Sequence, residues 1–324
     1  MVRFALRRAG SALFVMFSIS VLVFLIFFAT PGVDPAARIA GRNADQATLA
    51  QVRHSFGFDR PIPVQYVLMM RHLFVQGDLT SFVNRGARVL PQVRAAIPVT
   101  LSLVLGAAVI WLVVGIGMGV AAAARRGTWV DPVFMLIGVI GVSLPVYWLG
   151  EMVNLFTQSR LHDTVFSWVP PLGYAPLSDG VGNWALHLLF PWITLAVLYA
   201  GIYARVLRGE MITALNEDYV RTARAKGITE RRILIRHALR CSLIALISLF
   251  GLDIGALIGG AALLTEVVFS LQGVGKLTYD SLQNFDLPVI IATVMYAAFF
   301  VVLANAVVDL LYAWLDPRVR VHRA

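Results

Sequence analysis

Glu217-Asp218-Tyr219-Val220-Arg221-Thr222-Ala223-Arg224-Ala225-Lys226-Gly227-Ile228-Thr229-Glu230-Arg231-Arg232-Ile233-Leu234-Ile235-Arg236-His237-Ala238-Leu239-Arg240 is a strongly basic stretch between two apolar runs of membrane length, 186–208 and 241–267. Asp218 is placed to cap a helix of about two turns ending at Gly227, the residue type that accepts the left-handed conformation after a helix. Thr229 then caps a second helix, with Glu230 at its positive N-terminus. The spacing predicts a short helix, a glycine hinge and a new helix running directly into the next apolar run. Tyr219, Val220, Ala223 and Ile228 are apolar positions around the short helix. At about eight residues and about 12 Å that helix is too short to be stable alone. It needs a groove, and a membrane protein rarely puts so much order into a loop unless a soluble partner reads it.

The rest of the chain is bilayer material. Its 324 residues are 59% hydrophobic and 14% charged, with mean hydropathy +0.77, too apolar for a soluble domain. Six spans are expected, at 9–30, 98–123, 132–156, 186–208, 241–267 and 288–314, which puts both termini on one side. The net charge of +9 matters less than where it falls. Lys and Arg number three at the N-terminus, two in the 124–131 loop, nine over 205–240 and three in the tail, whereas the opposite short loops hold only Arg160 and Lys276. The positive-inside rule then places both termini and the basic insert in the cytoplasm. The first apolar run is too long for a secretion signal and ends in Ala29-Thr30-Pro31-Gly32 without a small-x-small cleavage pattern, so it reads as a retained helix. The single cysteine, Cys241, excludes an internal disulfide.

The expected organisation is an N-terminal helix plus external region over 1–97, a transmembrane domain over 98–314 containing the insert at about 209–240, and a cytoplasmic tail over 315–324. Within the external region, Phe56-Gly57-Phe58-Asp59-Arg60-Pro61 reads as a turn before a helix from Val64 to about Phe74. Gly251, Gly255 and Gly259 recur every four residues and let another backbone approach closely, inside one bundle or between subunits. Ser143-Leu144-Pro145 is expected to kink the third span.

No catalytic set appears: no phosphate-binding Gly-rich loop with Lys-Ser/Thr, no nucleophile elbow, and six scattered histidines without metal spacing. Three acids fall at or near membrane depth, where an acid raises a functional question. Glu266 and Asp309 lie close to span ends, where snorkelling or a nearby Arg would suffice. Asp253 is deeper, and either lines a water-filled path or bonds within the bundle. Arg232, Arg236 and Arg240 stand four apart on one helix face, where each would meet anionic lipid headgroups for about 1 kcal/mol. A DNA-reading helix-turn-helix would have no scaffold here, because membrane spans begin a few residues away on each side; nucleic acid is not an expected partner.

Asp218-Tyr-Val-Arg-Thr-Ala-Arg-Ala-Lys-Gly227 followed by Arg236-His-Ala-Leu-Arg240 resembles the cytoplasmic "EAA" loop of binding-protein-dependent ABC importers. The resemblance is to the B-type permease subunit of the dipeptide/oligopeptide branch and runs over nearly the whole chain. It includes Phe58-Asp59-Arg60-Pro61, Gly77-Asp78-Leu79, Ala124-Arg125-Arg126-Gly127, Glu266-Val-Val-Phe269, Gly273-Val-Gly275 and Val308-Asp309-Leu-Leu-Tyr312 with Asp316-Pro317-Arg318. Departures are Arg221-Thr222-Ala223 where the general loop has Glu-Ala-Ala, Arg240 at a late proline, Cys241 at a usually polar position, and Ser270-Leu271-Gln272 without the Trp-Pro that often precedes the external Gly-x-Gly.

The resemblance implies an all-α, six-helix, MetI-like type I ABC importer fold in the bacterial inner membrane. It implies a non-catalytic permease forming half of a pathway for di- and oligopeptides, with nickel chelates or glutathione as cargo of close relatives. Asp218, Tyr219, Val220, Arg221, Ala223, Arg224, Gly227 and Ile228 would form the coupling helix and hinge seated in a separate ATPase subunit. The implied partners are two ATPase subunits or domains carrying ATP and Mg, a second homologous permease, an external substrate-binding protein and membrane lipid, with no cofactor on this chain. A stand-alone secondary transporter or channel would need charged or broken-helix sites near the midplane in related repeats, and no such pair is evident.

Overall fold

A computed structural model describes residues 2–28, 36–37, 45–84 and 86–315. The 29–32 segment, the tail beyond Leu315 and the side chain of Asp309 lie outside the described residues. Helices make up nearly all of the rest: α1 (Val2–Phe28), α2 (Gln46–Phe56), α3 (Ile62–Arg71), α4 (Val89–Ala124), α5 (Val130–Ser143), α6 (Val146–Leu155) and α7 (Val181–Leu215). They continue with α8 (Asp218–Ala225), α9 (Glu230–Ala261, including π-helical turns at Ile233–Leu239 and Leu257–Ala261), α10 (Leu263–Val268), α11 (Val274–Asn284) and α12 (Leu287–Leu315).

Four of these are long and apolar enough to cross a membrane: α4, α7, α9 and α12 over Leu287–Val308. Residues Gly10–Ile26 of α1 form a shorter apolar helix, and α5 with α6 makes a fifth candidate only as a pair bent by 92°. That bend exceeds the expected kink. Leu144 is extended (φ −84°, ψ 127°), as a residue preceding proline is pushed to be, and Pro145 has no N–H with which to continue the α5 ladder. The helix therefore stops and restarts.

The main core lies between α4, α7 and α9, around the fully buried Trp111, Leu103, Tyr203, Leu207 and Leu246. Small residues bring the backbones together: Gly138 and Gly201 face each other so closely that a Cβ on Gly201 would lie 2.4 Å from the Gly138 carbonyl oxygen. A second core joins Phe24 of α1, Met69 and Leu73 near the end of α3, and Leu287 and Ile291 of α12. Here α3, starting at Ile62 behind Pro61 and with Pro63 in its first turn, runs into a π-helical turn over His72–Gln76, slightly past the expected end. The buried Asp286 fastens the 79–84 loop, accepting hydrogen bonds from the Ser81 hydroxyl and, at 3.0 Å, from the Phe82 amide.

Candidate functional site

The basic insert folds as two helices around one glycine. Helix α8 begins at Asp218, with Glu217 in the capping position (φ −73°, ψ 151°) and no side-chain capping bond. The expectation that Asp218 caps is therefore shifted by one residue. Asp218 instead accepts from Arg221 at 3.2 Å, and its carbonyl accepts from the Thr222 hydroxyl. Thr229 does stand at the cap of α9, but it likewise makes no side-chain capping bond.

Gly227 has φ +76°, the left-handed conformation that a residue with a Cβ resists. The Ile228 amide donates to the Ala223 carbonyl at 3.2 Å and the Gly227 amide to Arg224 at 2.9 Å, the two bonds of a Schellman ending. Across this turn the guanidinium of Arg224 clasps Glu230 with bonds of 2.7 and 3.2 Å. That contact holds the Glu230 carboxyl below the usual glutamate range.

The apolar side of α8 is used internally. Val220 is 0% exposed and packs with Ala223 and Ile233, flanked by Leu215 of α7 and by Ile228. Val220 and Ala223, expected at the interface with a soluble partner, are thus covered by the chain's own helices. They hold α8 in the angle between α7 and α9. What α8 presents outward is Asp218, Arg221, Thr222, Arg224 and the ring of Tyr219, 43% exposed. Arg232, Arg236 and Arg240 are all exposed, on a stretch that includes the π-helical turns of Ile233–Leu239.

A part-buried fork ties this end of the bundle together. Arg208 of α7 holds Asp131 of α5 through Nε–Oδ1 and, at 2.7 Å, Nη2–Oδ2. The pair went unread in the sequence, where Asp131 precedes an apolar run and Arg208 follows one.

At membrane depth, the Gly251/Gly255/Gly259 face of α9 lies on α12, where added Cβ atoms would meet Val308, Ala304 and Val301 at 1.9, 2.3 and 2.7 Å. The stripe packs within the chain. Asp253 points away from it, half-buried, and accepts a 2.8 Å hydrogen bond from the Tyr203 hydroxyl.

Glu266 does not snorkel. Helix α9 breaks at Gly260 (φ +121°), so Glu266 sits on the separate α10, 0% exposed. Its carboxylate accepts from the Thr100 hydroxyl at 2.6 Å and the Lys276 amide at 2.9 Å, while Thr100 accepts from the Val274 amide. It therefore occupies the N-terminus of α11, where amides are unpartnered and a negative charge is favoured. A Cβ on Gly273 would fall 2.3 Å from the carboxyl carbon, so Gly273 is what lets the chain wrap this group.

At the end opposite the insert, a cavity of about 370 Å³ is lined by residues including His54, Arg60, Gln65, His72 and Asp78. His54 bonds Asp59 at 3.1 Å and His72 bonds Asp78 at 2.8 Å; each imidazole lowers its partner's carboxyl pKa. The scattered histidines of the sequence thus include two that share one cavity. Among the described residues, no three His, Cys, Asp or Glu side chains are placed to hold a metal ion.

Family comparison agrees with this architecture. Residues 112–321 match the model for the binding-protein-dependent transport system inner membrane component, and residues 1–104 match its N-terminal counterpart. A probable peptide ABC transporter permease of Sinorhizobium fredii is 36% identical over 98% of this chain and 99% of its own length. A probable D,D-dipeptide transport system permease of Escherichia coli is 35% identical over 97% and 96%. A glutathione transport system permease of Salmonella choleraesuis is 36% identical over 99% of both. This chain, with a basic helix-hinge-helix mounted on its apolar bundle, belongs to the family of binding-protein-dependent transport system inner membrane components.

Proposed function

We propose that the chain is one permease subunit of an ATP-driven importer, forming half of a pathway for di- and oligopeptides across the bacterial inner membrane. The observation that carries this is α8: a short helix fixed to its own subunit by Val220 and Ala223, with a charged outer face around Tyr219. A helix so mounted transmits force without bending. A separate ATPase subunit seats on it, and two such ATPases carry the ATP and Mg; this chain carries no cofactor and no catalytic group. A second homologous permease completes the pathway, and an external binding protein delivers cargo. The relatives' peptide, dipeptide and glutathione names support a peptide-like cargo.

In this reading the chain crosses the bilayer six times, with α1 and the bent α5–α6 pair as the two spans beyond the four long helices. Both termini and the insert are cytoplasmic, residues 1–97 form the first helix and external region, and 98–314 the transport domain. Purification of the complex from native membranes tests the proposal. Two ATPase chains or domains, a second permease and ATP hydrolysis stimulated by peptide-loaded binding protein are expected. A chain that purifies alone and moves cargo on an ion gradient without ATP would overturn it.

A further inference from the structure

Asp253 lies in the last third of α9, eight residues before the helix ends at Ala261. The packing of Gly251, Gly255 and Gly259 on α12 turns it out of that interface, and its carboxylate is half-buried rather than sealed. No Lys or Arg pairs with it among the described residues. Among the described residues its hydrogen-bond donor is a neutral one, the Tyr203 hydroxyl on Oδ2.

Behind the Tyr203 hydroxyl, three helices contribute rings to one aromatic cluster. Trp111 of α4 stacks on Tyr199 of α7 at 4.8 Å, and lies 6.1 Å from both Tyr203 and Phe250, the latter one turn before Asp253 on α9. Trp111 and Tyr203 are fully buried, so the cluster is a fixed floor that holds the Tyr203 hydroxyl in place. A carboxylate without a resident cation, next to the partly exposed ring of Tyr199, is what an ammonium group binds: the carboxylate supplies charge and the ring face supplies quadrupole attraction. A side chain serving only to pair with Tyr203 could be neutral, and a charge at this depth without a cationic partner is unfavourable.

We infer that Asp253, positioned by the buried Tyr203 and flanked by Tyr199, is a recognition point for a primary ammonium group on passing cargo. On the peptide-importer reading, from which this inference starts, that group is the α-amino terminus or a lysine side chain.

The test uses the complete complex in proteoliposomes, with the loaded binding protein saturating so that its own selectivity drops out of the maximal rate. Three cargoes are compared: a peptide with a free amino terminus, its N-acetylated form, and an N-acetylated peptide with one lysine. The variants are Asp253→Asn and Tyr203→Phe. Asp253→Asn is expected to lower transport of the free-amino peptide by roughly tenfold, equivalent to about 1.4 kcal/mol, and to leave the acetylated one unchanged. Tyr203→Phe keeps the acid and should cost less. The lysine peptide tells the two ammonium sources apart: a loss with Asp253→Asn marks any primary ammonium, and no loss marks the terminus. Equal effects on free and acetylated cargo, or failure of Asp253→Asn to assemble with the second permease, would overturn the inference and make Asp253 structural. If the wild-type complex moves none of the three peptides, the peptide reading itself has failed, a result separable from an unselective wild type.

Discussion

Arg208 near the end of α7 and Asp131 at the start of α5, 77 positions apart, meet as a guanidinium fork on a carboxylate, with Asp131 almost wholly buried. This contact fixes the helix that leads into the basic insert against the start of α5. Removing one partner leaves a desolvated charge alone. Arg208→Ala is expected to destabilise the protein by about 3 kcal/mol, and Asp131→Asn by less because an amide still accepts from the guanidinium. Thermal unfolding in detergent checks the order; a smaller loss in Arg208→Ala than in Asp131→Asn would count against it.

Gly227→Val forces a branched side chain into a left-handed position, at about 1 kcal/mol or more. The variant should insert normally and lose most of its transport-stimulated ATPase activity, because α8 can no longer keep its angle to α9. Uptake and stimulated hydrolysis both at the wild-type level would remove Gly227 from any hinge role.

Around Glu266, Thr100→Val deletes both the donor to the carboxylate and the acceptor for the Val274 amide. The expected cost is about 1–3 kcal/mol for each group left unsatisfied, read as a lowered unfolding midpoint. Gly273→Ala places a methyl against the carboxyl carbon and should destabilise at least as much. A neutral result for both would mean that the knot can loosen without penalty.

The Arg224–Glu230 clasp has a definite pH signature. Its folded-state carboxyl pKa is depressed, so its contribution is fully present above the unfolded value of about 4.3 and is lost as pH falls through the lower folded value. Between pH 5 and 8 the clasp should be flat, and Glu230→Gln should reproduce at neutral pH the weakened turn of acid conditions. Spin-label mobility at the exposed Ala225 reports this; a change between pH 6 and 8 would point to another group.

Orientation is tested by single-cysteine labelling in intact cells after Cys241→Ser. A reagent that cannot cross the membrane should reach cysteines placed in the 157–185 loop and not Thr229→Cys. Labelling at 229 from outside would reverse the assignment.

The insert was the most legible part of the chain because its signals are local: a helix, a residue fit for positive φ, and another helix within 24 positions. Periodicity also told that Gly251, Gly255 and Gly259 share a face opposite Asp253. It could not tell what covers a face. Val220 and Ala223 looked available to a partner, yet Leu215 and Ile233 cover them once α7 and α9 converge. Glu266 was misread for a similar reason: its main partner, Thr100, is 166 residues away. Gly273-Val-Gly275 was the available clue, since two closely spaced glycines signal a backbone that must pass close to something. Likewise Leu144-Pro145 marked a disruption but not its 92° size, which depends on what α5 and α6 find to pack against.

The knot at Glu266 and the helix leading up to it together set a kinematic scale. Helix α9 is 32 residues long, a rod of about 48 Å, fastened beyond its far end where α10 and α11 are stitched to α4; in the proposed coupling it is driven at its near end by α8. In a rod pivoting about the fastened end, displacement falls in proportion to distance from the pivot. Asp253 stands about 12 Å from that end, a quarter of the way along. A sideways stroke of about 4 Å at the driven end would thus arrive at Asp253 as about 1 Å and vanish at the mouth, so one small motion can widen the inner half of a passage while its outer rim stands still.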